Sequence, residues 1–167
     1  MVELDRDKIE SARMHAADGR YAEALATIAS LETAQRQSKP VLCLKGNILA
    51  LKANDVNLSL SRAEIGRLRD SAQECFEAIL ADDKDHVLAY IDLGDLWSNR
   101  GNHIAAVEFF DKALALLKVG VFVESFEEEL EEAHRGKIEN LRLTKLQREL
   151  DRAFADAKKD LPTVDWM

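Results

Sequence analysis

Apolar residues recur along this chain at intervals of three and four, the period of helices that bury one face. From Val87 to Leu117, VLAYIDLGDLWSNRGNHIAAVEFFDKALALL, two such segments flank a short Asn-Arg-Gly-Asn turn. Tyr90, Leu93, Gly94 and Trp97 share one face of the first segment, and Ala106, Phe110 and Ala113 share one face of the second. Small residues at Gly94, Ala106 and Ala113 let two helix axes approach, while Tyr90, Trp97 and Phe110 fill the space around them.

The same order of small and large residues occurs twice more. Moving back 34 residues from Gly46 reaches Ala12, where a first segment turns at Asp18-Gly19 and continues as YAEALATIASL, with Ala24, Ile28 and Leu31 in the places of Ala106, Phe110 and Ala113. A middle unit has Leu42, Gly46 and Leu49 in its first helix and Ala72, Phe76 and Ile79 in its second. Gly46 and Gly94 lie 48 residues apart, so the middle unit carries an insertion of 14. Asn54-Asp55 ends its first helix, and Ser61 with Glu64 reads as a capping box opening the second. The insertion therefore predicts a loop over roughly Asn54 to Leu60 and about two extra turns at the start of the following helix.

In spacing and residue type these units resemble the tetratricopeptide repeat, a helix-turn-helix module of about 34 residues. The resemblance implies an all-α superhelix of three repeats within residues 1–118, at about 5–38, 39–86 and 87–120. It also implies a protein-interaction adaptor that takes a peptide or helix in a concave groove lined by the first helix of each unit. By matching positions, the groove residues are Arg6, Ile9 and Arg13 from the first unit and Cys43, Asn47 and Ala50 from the second. Leu88, Ile91, Asp95, Ser98 and Asn99 come from the third. Members that bind the acidic tails of heat-shock chaperones hold the terminal carboxylate with lysines, an arginine and two asparagines. Here Asn47 keeps one asparagine position, but Ile9 and Ile91 replace polar ones and Asp95 adds a negative charge, so no carboxylate clamp is implied. The mixture of Arg13 with Asp95 points to a partner without strong charge. Ile9 and Ile91 also admit a plain packing role against a neighbouring helix.

Beyond Leu117 the pattern fades. Lys118 to Val123 reads as an apolar connector, and Ser125 with Glu128 as another capping box. Residues 119–161 are then expected to hold a charged capping helix, acidic in its first turns and basic in its last, as the helix dipole favours. Phe126, Leu130, Ala133, Leu141, Leu146, Leu150, Phe154, Ala157 and Leu161 form its apolar stripe. Gly136 interrupts the stripe, which predicts two helices or one kinked helix. Repeat arrays need such a terminal cap because the last unit otherwise exposes its core side. A surface for a second subunit is the alternative use. Pro162 ends the helix, and the 162–167 tail closes in Trp166 and Met167, either frayed or docked on an apolar surface.

Composition narrows the function. A net charge of −8 argues against nucleic acid and anionic membrane, which need a basic stripe. No apolar stretch is long enough to span a bilayer, and MVELDRDKIE lacks the pattern of a secretory signal, so a cytoplasmic protein is expected. Cys43 and Cys75 read as reduced core or groove residues. His15, His86, His103 and His134 have no metal-ligand spacing, and no glycine-rich phosphate loop follows a strand. The acidic pairs Asp82-Asp83, Asp92-Asp95 and Glu131-Glu132 fit an ordinary charged helical surface. The chain is therefore expected to be no enzyme, with no cofactor and no metal. Two alternatives to an adaptor stand: a dedicated chaperone resembling the acidic class that escorts translocator subunits of type III secretion, and a structural protein whose repeats build an oligomer.

Overall fold

The computed structural model describes residues 4–120 and 126–160, and these form helices with no strand among them. Helix α1 spans Arg6–Ala17, α2 Tyr21–Ala29, α3 Thr33–Arg36, α4 Lys39–Asn54, α5 Arg62–Asp82, α6 Val87–Asn99, α7 His103–Lys118 and α8 Phe126–Asp160. Helices α1, α5, α6 and α7 begin where a side chain takes an orphan N–H of the first turn, whereas α4 begins with Pro40 in that turn. Asp5 accepts from Lys8 N at 3.1 Å, His86 Nδ1 from Ala89 N at 3.2 Å, and Asn102 from Ala105 N at 3.2 Å. Ser61 and Glu64 form the expected reciprocal box at the start of α5. Gly19 and Gly101, at φ +73° and +78°, make the two tight reversals, a backbone geometry that costs glycine little.

The insertion of the middle unit lies where the spacing places it. A 3-10 turn over Val56–Leu58 precedes Ser61, and α5 has 21 residues against the 16 of α7. The short α3, opened by a Glu32–Gln35 capping box, is an element that the apolar period alone does not signal.

Packing runs from one neighbour to the next: α1 on α2, α4 on α5, α6 on α7, and α7 on α8. Its close contacts are glycines facing aromatic rings. A Cβ at Gly46 would stand 2.6 Å from Phe76, and one at Gly94 2.7 Å from Phe110, so both rings lie against bare backbone. Phe76 and Phe110 are fully buried, as are Ala12, Ala24, Ala72, Ala106 and Ala113. Helix α6 is buried on two sides. Ala89, Leu93 and Leu96 pack with α4 and α5, whereas Val87 and Ile91 pack with α7. Ile91 is only 1% exposed, so this groove position is corrected: its side chain belongs to the core and has no surface to offer a ligand.

Helix α8 is one unbroken helix through Gly136, not two. Gly136 has a packing reason to be there, since a Cβ would lie 2.4 Å from Phe110 Cζ, on the same ring that faces Gly94. The helix runs antiparallel to α7, with Lys137 paired to Asp111 and Asn140 bonded to His103 at 2.7 Å. His103 is the first residue of α7, so the shared interface ends there. Ala133 and Asn140 are buried, but Leu141 is 49% and Leu146 54% exposed, so the apolar stripe is covered before Gly136 and open at these two leucines beyond it. The Ser125 cap, the Val121–Phe122 connector and the 162–167 tail lie outside the described residues.

Glycine substitutions separate close packing from helix propensity. Gly94→Ala should destabilise the fold, because overpacking against Phe110 costs ~1–3 kcal/mol and outweighs a propensity gain of up to ~1 kcal/mol. Gly66, within α5, has nothing within 4 Å of its would-be Cβ. Gly66→Ala should therefore stabilise by up to ~1 kcal/mol, and urea melts of the two variants should move in opposite directions.

Candidate functional site

The first helices of the pairs lie side by side, with α1 against α4, α4 against α6, and α6 against α8. Their shared face brings one polar cluster together. Cys43 and Asn47 are one turn apart on α4, and Asp92 and Asp95 are one turn apart on α6, so each pair projects to one side. Cys43 donates its S–H to Asp92 Oδ2 at 3.5 Å, and Asn47 Nδ2 reaches Cys43 Sγ at 3.9 Å. Asn47 also hydrogen-bonds the Asp92 carboxylate. From α8, Glu129 is 6% exposed, and its buried Oε2 has no hydrogen-bond partner. Glu132, Arg135 and Glu139 of the same helix complete the charges around Asp95, and the Arg13 charge reaches Cys43 from α1.

Burial sets the ionisation of this cluster, and like charges add to it. The Cys43 thiol is pushed up to about 12 by burial and then by the neighbouring Asp92 charge. It is a hydrogen-bond donor and a poor nucleophile. Burial raises Asp92 to about 7, with Asp95 and Glu132 acting in the same direction against the bonds from Cys43 and Asn47. Asp95 rises to about 6 through burial and then Glu132, partly offset by Arg135. Asp95 is nevertheless exposed by surface area. Glu129 is also raised, by burial and then by Glu132 and Glu128. Together these acids would gain from a cation that the described chain does not supply.

The expected groove residues divide among these surroundings. Arg6, Arg13, Leu88, Asp95 and Asn99 are exposed, while Ile9, Cys43, Asn47, Ala50 and Ser98 are half-buried. Arg13, Cys43, Asn47 and Asp95 meet at the cluster. Ile9 packs against the core of the first pair. Asp92, Glu129 and Glu132 are members that the family pattern does not mark. Asp92 stands one turn before Asp95 and was legible as half of an acidic pair, whereas the α8 residues join only because Gly136 seats that helix against Phe110.

No protein-family model matches the chain, and no curated protein is significantly similar to it. Among the described residues, no group of three or more His, Cys, Asp or Glu is placed to hold a metal ion. Nor is any helix among them long and apolar enough to cross a membrane. A separate cleft of about 540 Å³ between α2 and α4 is lined by Leu25, Ile28, Leu42 and Leu49 with Arg36 and Lys45.

The Asp92 shift has a definite sign. Its folded value of about 7 lies above the unfolded carboxylate value near 4, so the folded state holds the extra proton between them. Asp92 therefore contributes a destabilisation that is absent below about pH 4 and grows as pH rises toward 7. Asp92→Asn should leave the Tm nearly unchanged at the acid end and raise it at pH ~8, and Tm measured across that range checks the sign.

Proposed function

We propose that this protein is a non-catalytic interaction adaptor, built from three tetratricopeptide-like units and a capping helix. Its concave face takes a helix or extended peptide that carries a lysine or arginine among apolar residues. The observation that supports this most directly is the buried, unpartnered Glu129 Oε2, whose charge reaches Cys43, next to a Glu132 that acts on Glu129, Asp92 and Asp95. A cation among carboxylates that repel one another offsets that repulsion and draws them toward the charged form. The repeat reading is supported by the two glycine-on-phenylalanine contacts and by the neighbour-to-neighbour packing. The polar balance inferred from Arg13 and Asp95 alone shifts toward acid once Asp92, Glu129 and Glu132 join them.

A second reading, self-assembly, has an observation of its own. Helix α8 continues from Leu141 to Asp160 past the start of α7, a length of about 30 Å at ~1.5 Å per residue. Leu141 and Leu146 are half-exposed on that overhang. A helix without tertiary packing is marginal in water, so the overhang is suited to a covering partner such as a second copy.

Two measurements separate these readings. Native-host proteins captured on the wild-type chain and on Asp92→Asn/Glu132→Gln should differ, with the true partner bound at least ~tenfold more weakly by the variant. The variant should be at least as stable as the wild type, which distinguishes lost recognition from lost folding. Equal capture by both proteins sinks the cationic-ligand reading. Light scattering of the wild type and Leu146→Glu tests self-assembly, which requires an oligomer that the substitution dissociates.

A further inference from the structure

The 14-residue insertion does more than lengthen a loop. It adds turns to the start of α5 that carry Arg62 and Gly66, and Arg69 follows them at i+7 on the same helix face. With Ile65, Asp70 and Arg100 these residues line a cleft of about 490 Å³ between α5 and the end of α6. Three arginines around one cleft are notable in a chain whose net charge is −8.

Two of the three are held in place. Arg69 Nη2 donates to Asn54 Oδ1 at 2.9 Å, at the end of α4. Arg100 Nη2 donates to Asp70 Oδ1 at 2.8 Å, and its guanidinium lies 5.0 Å from the centre of the Trp97 ring. The charges are not balanced. Arg69 Nε is buried with no acceptor, and Asp70, the one carboxylate lining the cleft, is paired with Arg100. Arg69 and Arg100 also act on each other as like charges, and burial followed by the Arg100 charge lowers the Arg69 pKa. Gly66 leaves the cleft open between them, since a Cβ there would meet nothing within 4 Å.

We infer that the cleft of Arg62, Arg69 and Arg100 is an oxyanion site that takes a phosphate or carboxylate group. Arginine forks match both groups in pairs of parallel N–H bonds. The site is independent of the acidic face on α4, α6 and α8, and it does not rest on the adaptor reading. Its ligand is either a free small anion or a phosphorylated or acidic side chain of a protein.

The test is thermal unfolding of the full chain in increasing inorganic phosphate, against sodium chloride at matched ionic strength. A ligand that binds only the folded state raises the Tm in step with its occupancy. The expected result is a phosphate-specific rise for the wild type, with affinity reduced at least ~tenfold in Arg69→Gln. Without phosphate, Arg69→Gln should be no less stable, because it removes repulsion with Arg100. Gly66→Leu is the second variant: it keeps every charge, fills the cleft, and should also lose the phosphate response. A phosphoserine peptide that binds at least ~tenfold more tightly than phosphate assigns the site to a protein-borne group, and equal affinity assigns it to a free anion. No rise beyond the chloride control, or the same rise in wild type and both variants, overturns the inference.

Discussion

The contact on which this architecture depends is the Phe110 ring, held between Gly94 of α6 and Gly136 of α8. Each glycine offers backbone where any other residue would place a Cβ within 3.0 Å of the ring. Phe110 thus draws in the helix before it and the helix after it. Phe76 repeats half of the arrangement with Gly46. Because interiors are packed to crystal-like density, a methyl group at either side of Phe110 must displace a ring or a helix. The position of α8 follows from this contact, and with it the place of Glu129 and Glu132 beside Asp92.

That placement explains why the face shared by α4, α6 and α8 is electrostatically tense. Each of Asp92, Asp95 and Glu129 is shifted upward chiefly by burial, and Glu132 acts on all three. Arg135 and Arg13 oppose the acids without pairing with the buried Glu129 oxygen. Such a surface costs stability when its acids ionise, and the cost falls when a cation arrives. A face built this way is poorly suited to being only a support for the fold.

The helical pairs were legible because local rules agree there. The three-and-four spacing, the Asp18-Gly19 turn and the Ser61–Glu64 box each act within a few residues, and the structure has them where the sequence places them. What misled was always a neighbour in space. Gly136 reads as a breaker from within its helix and becomes a packing position only against Phe110. Ile91 reads as a surface residue from a one-sided helix, but α6 is buried on two sides. Leu141 and Leu146 continue the apolar period, yet α7 begins at His103 and leaves them uncovered. Glu129 and Glu132 lie more than 30 residues from Asp92, so no local pattern could assign them to its surroundings.

The two charged regions differ in origin. The acidic face arises from α4 and α6, with α8 closing one side. The arginine cleft depends on the insertion for one wall, because α7 lacks the extra turns that carry Arg62 and Gly66, while Arg69 and Arg100 lie outside those turns. Removing turns from the start of α5 would erase the cleft while leaving Phe76, Ile79 and their contacts with Gly46 and Leu49 in place. The added turns are not idle in packing, because Leu68 lies against the core of Leu42, Leu49 and Phe76. One face of the extension thus carries the leucine inward while the other carries Arg62 and Gly66 to the cleft.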